Sequence, residues 1–143
     1  MTTQQAILDT VYNILVASNA TASVSTRIYD TMAPQDPTTP FIVFTVIGDV
    51  PKCYFSLENL GPLDLQVDIY GKIESGIKAC RDIGDIVYAA LHRNQPSSSG
   101  YTGVSILCTN RGERMDQDTI IGGRTQQDAW RQMQTYKIFG TGT

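Results

Sequence analysis

Charge is scarce in this chain. Asp, Glu, Lys and Arg make up 17% of its 143 residues, against roughly 25% in an average soluble domain. The 11 basic and 14 acidic residues leave a net charge of −3, and nowhere do Lys and Arg cluster. A protein that grips nucleic acid neutralises phosphates with such clusters, so the sequence argues against a dedicated DNA- or RNA-binding role. Long apolar runs are missing too. None approaches 18 residues, so no membrane-spanning helix is expected. The N-terminus, MTTQQAILDT, has no basic stretch and no long apolar one, and no signal peptide is read there. Three cysteines, Cys53, Cys80 and Cys108, are odd in number and far apart; they read as reduced thiols of a cytosolic protein rather than a disulfide framework.

What is present suffices for one domain. Hydrophobic residues make up 41% of the chain, and a domain of this size buries roughly two-thirds of its unfolded surface. The polar remainder is rich in Thr, Ser, Gln and Asn, a surface suited to life inside an assembly.

The spacing of Ile7, Val11, Ile14 and Leu15 makes one apolar stripe at helical period. Thr2 or Thr3 is placed to cap that helix, which is expected to end near Ser18-Asn19. A loop over 19–26 and a short extended Arg27-Ile28-Tyr29 follow. Between Pro34 and Pro40 three prolines forbid helix. Phe41 to Ile47 is β-branched and aromatic, reading as a strand buried on both faces, broken by Gly48-Asp49-Val50-Pro51.

From Leu63 to Tyr70 the alternation is clean, with Leu63, Leu65, Val67 and Ile69 on one face and Asp64, Gln66, Asp68 and Tyr70 on the other. A second helix is predicted from about Glu74 to His92. Its stripe is Ile77, Cys80, Gly84, Val87, Tyr88 and Leu91, and Gly84 would allow close approach to a sheet. A connector over 94–100 leads to a strand in which Val104, Ile106 and Cys108 alternate with Ser105, Leu107 and Thr109.

Residues 112–125 show no sustained period and read as a flexible or docking loop. The last element, Ala129 to Phe139, alternates but carries few core residues on either face, so it is expected at a sheet edge, with a loose tail over 140–143. Strands grouped around two helices imply an α+β fold. The expected architecture is an antiparallel or mixed β-sheet with two α-helices packed on one face.

Chemistry is hard to find. His92 is the one histidine, and near a helix end it reads as a cation favouring the C-terminus. The three cysteines fall on different elements, so neither a metal site nor a nucleophile is assembled. Cys80 and Cys108 read as small core residues. Asp64 and Asp68 are some ~13 Å apart at strand rise, too far for a paired-carboxylate site, and Asp82 and Asp85 read as a solvated helix face. Gly122-Gly123-Arg124 lacks any phosphate-binding fingerprint and reads as a turn. No catalytic, cofactor-binding or metal-binding residues are assigned, and an enzyme is not expected. The mixed charges of 112–125, with Met115, Ile120 and Ile121 among them, fit a segment that docks on another protein chain.

Arg27-Ile28-Tyr29, Ala33-Pro34-Gln35, Pro40-Phe41-Ile42-Val43-Phe44, Leu65-Gln66-Val67-Asp68-Ile69-Tyr70 and the helix ending Ala90-Leu91 together resemble the tail completion or tail terminator proteins of tailed bacteriophages. The resemblance runs from the first helix to about Leu91; the final strand fits more loosely, and 112–125 departs from the pattern. It implies a structural virion protein without a cofactor, forming a homo-oligomeric ring of the six-copy kind seen in that family. That ring would cap the head-proximal end of the tail tube, end tube polymerisation and join the tail to the head–tail connector. Its partners would be the tube and connector proteins, with DNA passing through the lumen unbound and no membrane involved. Assembly would occur in the host cytoplasm.

The candidate subunit or tube interface comprises Arg111, Glu113, Arg114, Asp116, Arg124, Trp130 and Arg131, on the 112–125 segment and the strand after it. Other readings are a connector, stopper or tail tube protein, or a small ligand-binding α+β domain using Asp68, Tyr70 and His92.

Overall fold

The computed structural model describes residues 4–18, 24, 27–33, 39–49, 52–54, 57–72, 76–98, 101–116, 120–121, 124–125 and 129–142. In chain order the elements are α1 (Gln4–Ala17), β1 (Ile28–Asp30), β2 (Phe41–Asp49), β3 (Lys52–Tyr54), β4 (Leu57–Lys72), α2 (Gly76–Leu91), β5 (Tyr101–Asp116), β6 (Ile120–Ile121), β7 (Arg124–Thr125) and β8 (Ala129–Gly142).

The alternation in β4 organises the molecule. Leu63, Leu65, Val67 and Ile69 are fully buried, each worth about 1.5–3 kcal/mol relative to exposure. They face both helices: Ile7, Leu8, Val11 and Leu15 of α1, and Cys80, Ile83, Val87 and Leu91 of α2, join them in one core with Ile42, Phe44, Ile106, Tyr136 and Ile138. Both helices therefore lie on one face, as the patterning implies. Helix α1 ends where the Ser18 hydroxyl and backbone N–H both donate to the Leu15 carbonyl, at 2.6 and 3.2 Å. The capping threonines, Thr2 and Thr3, lie outside the described residues, as do most of the 19–26 loop, Pro34 and Pro37 of the proline-rich stretch, and Glu74. Val24 is described, and it is buried in the core.

The six-stranded sheet has the order β1-β2-β4-β8-β5, with β3 pairing with the start of β4. β1 runs parallel to β2; the other pairs are antiparallel. The fold is α+β with a mixed sheet. On the face away from the helices, Phe41 and Val43 pack with Ala33, Tyr29 and Tyr70, so the start of β2 is buried on both sides. Its continuation is not broken at Gly48: β2 passes through a bulge between Val46 and Gly48 and runs on to Asp49.

Three expectations need correction. β8 is not an edge strand but lies between β4 and β5, because its polar side chains find partners inside the fold. Residues 112–116 are not loop; they extend β5, pairing from Gly112↔Met133 to Asp116↔Ala129. Residues 140–142 are not loose, since Gly140 pairs with Leu60, Thr141 with Asn59 and Thr102, and Gly142 with Tyr101. Further along, β6 and β7 pair as Ile120↔Thr125 and Ile121↔Arg124. The Gly122-Gly123 turn between them lies outside the described residues.

Candidate functional site

The sequence candidates fall where β5 and β8 pass beneath α2. Gly84 makes this approach possible: a Cβ there would overlap Gln132 Oε1. At Gly71, likewise, a Cβ would stand 2.6 Å from Cys80 Sγ. Under Gly84, β8 presents Gln132, Gln134 and Tyr136, all buried. The Tyr136 hydroxyl donates to Gln134 Oε1. Gln134 Nε2 donates at 2.8 Å to Gln132 Oε1 and at 2.8 Å to the Gly84 carbonyl, and Gln132 Nε2 donates at 3.4 Å to Glu113 Oε2. Arg81 Nε closes the chain on the Glu113 carboxylate at 2.8 and 3.1 Å. A strand rich in glutamine thus sits centrally because each buried amide is satisfied.

The charges of β5 belong to the same layer. Arg111 Nη2 meets Asp85 Oδ1 at 2.8 Å, and its guanidinium lies 4.8 Å from the centre of the Tyr88 ring. Tyr88 stacks on His92 at 4.7 Å. The Arg81 hydrogen bond holds the Glu113 carboxyl below its ordinary range, and Glu113 in turn raises Arg81. The hydrogen bond to Asp85 likewise raises Arg111. A shallow groove of about 490 Å³ runs among Arg81, Asp85, Arg111, Gly112, Glu113 and Gln132. Each arginine in it already faces a carboxylate, so the groove offers no spare cation to an anionic ligand.

His92 has a different job from the one its position suggests. Its Nδ1 accepts the Cys108 backbone N–H at 3.0 Å, which ties the end of α2 to β5. Next to it, the Arg93 N–H donates to the Ile106 carbonyl at 2.7 Å and the Ile106 N–H to the Asn94 carbonyl at 3.1 Å. The turn after α2 thereby caps the outer side of β5.

The opposite sheet face carries a second polar row. Arg131 Nη2 reaches Asp68 Oδ1 at 3.1 Å, with Gln66 Nε2 donating to the same carboxylate at 3.0 and 3.1 Å. Arg131 also lies 5.6 Å from the Tyr70 ring centre, and Tyr70 stacks on Phe41 at 4.9 Å. Lys137 pairs with Asp64 at 3.3 Å.

The candidates are therefore divided. Arg111 and Glu113 lie on the helix side, where Trp130 packs against the core; Arg131 lies on the other face. Arg114 stands opposite Arg131 and Asp116 opposite Ala129, and Arg124 opposite Ile121. The side chains of Arg114, Asp116 and Arg124, and those of Met115, Ile120, Ile121 and Cys53, lie outside the described residues. Asp68 and Tyr70 are separated from His92 by the sheet, so the ligand-binding alternative loses its constellation.

Burial pushes the Cys80 thiol up to about 11, and burial raises Cys108 as well, the opposite of an activated nucleophile. Among the described residues no cluster of three or more His, Cys, Asp or Glu could hold a metal ion. No described helix is long and apolar enough to cross a membrane. Sequence reasoning missed Arg81, Asp85, Tyr88 and the two glutamines. The Tyr88–His92 stack at i, i+4 was readable; the others depend on partners distant in the chain.

Comparison with known proteins places this geometry. A search of curated proteins finds no significant match. Among solved structures, a chain of the virion of a native gene transfer agent particle is similar in fold, with a TM-score of 0.74 over 96% of each chain at 16% identity. The model of the tail completion protein gp17 family matches residues 9–132. The match takes in α1 from Asp9 onward, all of α2, the paired strands β1, β2 and β4, and the β5–β8 pairing as far as Gln132, and on it the chain belongs to the tail completion protein gp17 family of structural phage tail proteins.

Proposed function

We propose that the chain closes into a ring, six copies as its resemblance implies, on the head-proximal end of the tail tube. There it ends tube polymerisation and joins the tail to the connector of the head. The family match over residues 9–132 carries this reading. A chain of similar fold in a gene transfer agent virion supports a place in the virion, with assembly in the host cytoplasm. Partners would be further copies, the tube protein and the connector. A net charge of −3 suits a lumen through which DNA slides without specific binding.

The interface is assigned to the 112–125 segment and β8, narrowed by intrachain pairing. Arg111 and Glu113 hold β5 to α2, Trp130 packs inward and Arg131 holds Asp68. Arg114, Asp116 and Arg124, whose backbones stand on β5 and β7, stay in the assigned interface as the sequence placed them. Asp116 and Ala129 stand opposite each other, so a two-residue Asn-Gly turn can replace 117–128 with β5 and β8 still paired. Undiminished ring formation and tail joining by that variant would sink the assignment of Arg124 and the segment beyond Asp116, leaving only Arg114 and Asp116 to be tested by their own alanine substitutions.

The wider reading is tested by negative-stain microscopy and light scattering. Closed rings near six times the 15.7 kDa protomer, about 94 kDa, are expected. Filaments would point instead to a tube protein, and a monomer that also fails to bind purified tail tubes would overturn the terminator reading.

A further inference from the structure

With β8 between β4 and β5, and apart from the three-residue strands β1 and β3, the described residues leave two stretches of sheet edge open. One is β5. Among the described residues its outer side is capped at Tyr101, by the Ser98 carbonyl, and over Ile106–Cys108, by the turn after α2 and by His92. Outward-pointing backbone groups alternate along an antiparallel strand. Since Ile106 and Cys108 point outward and the bulge between Cys108 and Asn110 shifts the count by one, the outward residues beyond it are Arg111, Glu113 and Met115. No described strand pairs with them on that outer side. The other edge is β2. β1 covers Ile42–Phe44 and ends at Asp30, so Thr45–Asp49 is open on its outer side, where Ile47 is 54% exposed.

Long open edges are hazards that folds cover or use. Here the described residues cover the first part of β5 and none of them covers the last part. The path β2-β4-β8-β5 contains an even number of strands in strict alternation. A rotated copy set beside β5 with its own strands in the same sense therefore presents β2 antiparallel to β5, and alternation continues without a break. Joining unlike edges is a heterologous contact, the kind that closes rings.

We infer that the β5 edge beyond its bulge, over Arg111–Met115, pairs antiparallel with the Thr45–Asp49 edge of β2 in a second copy of this chain. The inference rests on the ring reading and gives it a contact. Side-chain contacts across the joint are secondary; the affinity comes from backbone hydrogen bonds, as in strand addition.

Proline at an outward position of an edge strand removes a donor that the chain's own ladder does not use. Glu113→Pro and Glu113→Ala lose the same carboxylate, but only the first loses the N–H. With folding checked by circular dichroism, light scattering is expected to show wild type and Glu113→Ala assembled and Glu113→Pro monomeric, about a sixfold fall in mass for a six-copy ring. Should Glu113→Pro fail to fold, amide exchange on the wild-type assembly, free or seated on tail tubes, decides the matter. Arg111, Glu113 and Met115 should then exchange at least about tenfold more slowly than in the dilute monomer, with Ile106 and Cys108 protected in both. Rings built from Glu113→Pro, or unprotected amides in an assembled wild type, overturn the edge pairing and leave the ring reading standing. An assembly that stops at a dimer overturns the β5–β2 joint in favour of like edges. A wild type monomeric both alone and with tubes overturns both readings.

Discussion

Tyr136→Phe is the sharpest test of the buried chain that centres β8. The change deletes one hydroxyl and almost no apolar area, in a side chain that is 0% exposed. That hydroxyl is the donor for Gln134 Oε1. The amide cannot simply flip, because Gln134 Nε2 is committed to the Gly84 carbonyl and to Gln132 Oε1. The substitution therefore leaves an acceptor buried and unsatisfied rather than removing a matched pair. A loss of that kind costs about 1–3 kcal/mol, against 0.5–1.5 for an ordinary hydrogen bond. With an unfolding entropy near 2.1 cal/mol/K per residue, a chain of this length has a total of about 0.3 kcal/mol/K, and Tm should fall by roughly 3–10 °C.

The assay is urea or thermal unfolding of both proteins at one protomer concentration, since assembly contributes to apparent stability. Tyr12→Phe is the control: that ring is 39% exposed, and little change is expected. A Tyr136→Phe shift no larger than the control's would refute the claim that β8 is held centrally by a satisfied polar chain.

Four other outcomes follow from the same geometry. Gly84→Ala gains about 1 kcal/mol of helix propensity but forces Gln132 out of its place, so net destabilisation is expected in urea unfolding, with overpacking costing about 1–3 kcal/mol before the gain. Arg131→Met strips the charged partner from Asp68, a side chain 7% exposed, and should cost about 1.5–3 kcal/mol by the same measurement. Glu113 titrates below its ordinary range when folded, held there chiefly by Arg81. Its stabilising contribution is therefore present above the unfolded carboxylate pKa and lost as pH falls through the lower folded value, and Glu113→Gln should flatten the acid limb of stability against pH. Cys80, with its thiol near 11 and fully buried, should resist iodoacetamide at pH 8 in the native protein and react in urea, as read by peptide mass mapping.

Local patterns were legible where one residue's role depends on its near neighbours. The Leu63–Tyr70 alternation places four residues in the core and four on the other face. The Cys80–Leu91 stripe and Gly84 predict the buried side of α2 and its close approach. What failed was long-range. Arg111 and Glu113 look like loop charges because their partners, Asp85 and Arg81, stand 26 and 32 positions away. Gly112 between them removes the β-branched signal that would have extended the strand. Gly140 and Gly142 look like tail residues for the same reason, yet Gly140 pairs with Leu60 of β4, Gly142 with Tyr101 of β5, and Thr141 between them with both strands.

The glutamines of β8 show why polarity alone misplaces a strand. An edge and a satisfied centre can share one composition, and what separates them is whether partners of the right geometry face the strand. A β8 of valines would bury as well in neighbouring registers, whereas Gln134 must meet the Gly84 carbonyl and Gln132 must meet Glu113. A slip by one residue turns every side chain to the wrong face, and a slip by two leaves buried amides without partners. The same network sets which strand is exposed. With β8 locked between β4 and β5, the edge falls on β5, where His92 and the turn after α2 guard its first half. The half beyond the bulge is held to α2 by the side chains of Arg111 and Glu113, and among the described residues no strand pairs with its outward backbone donors and acceptors.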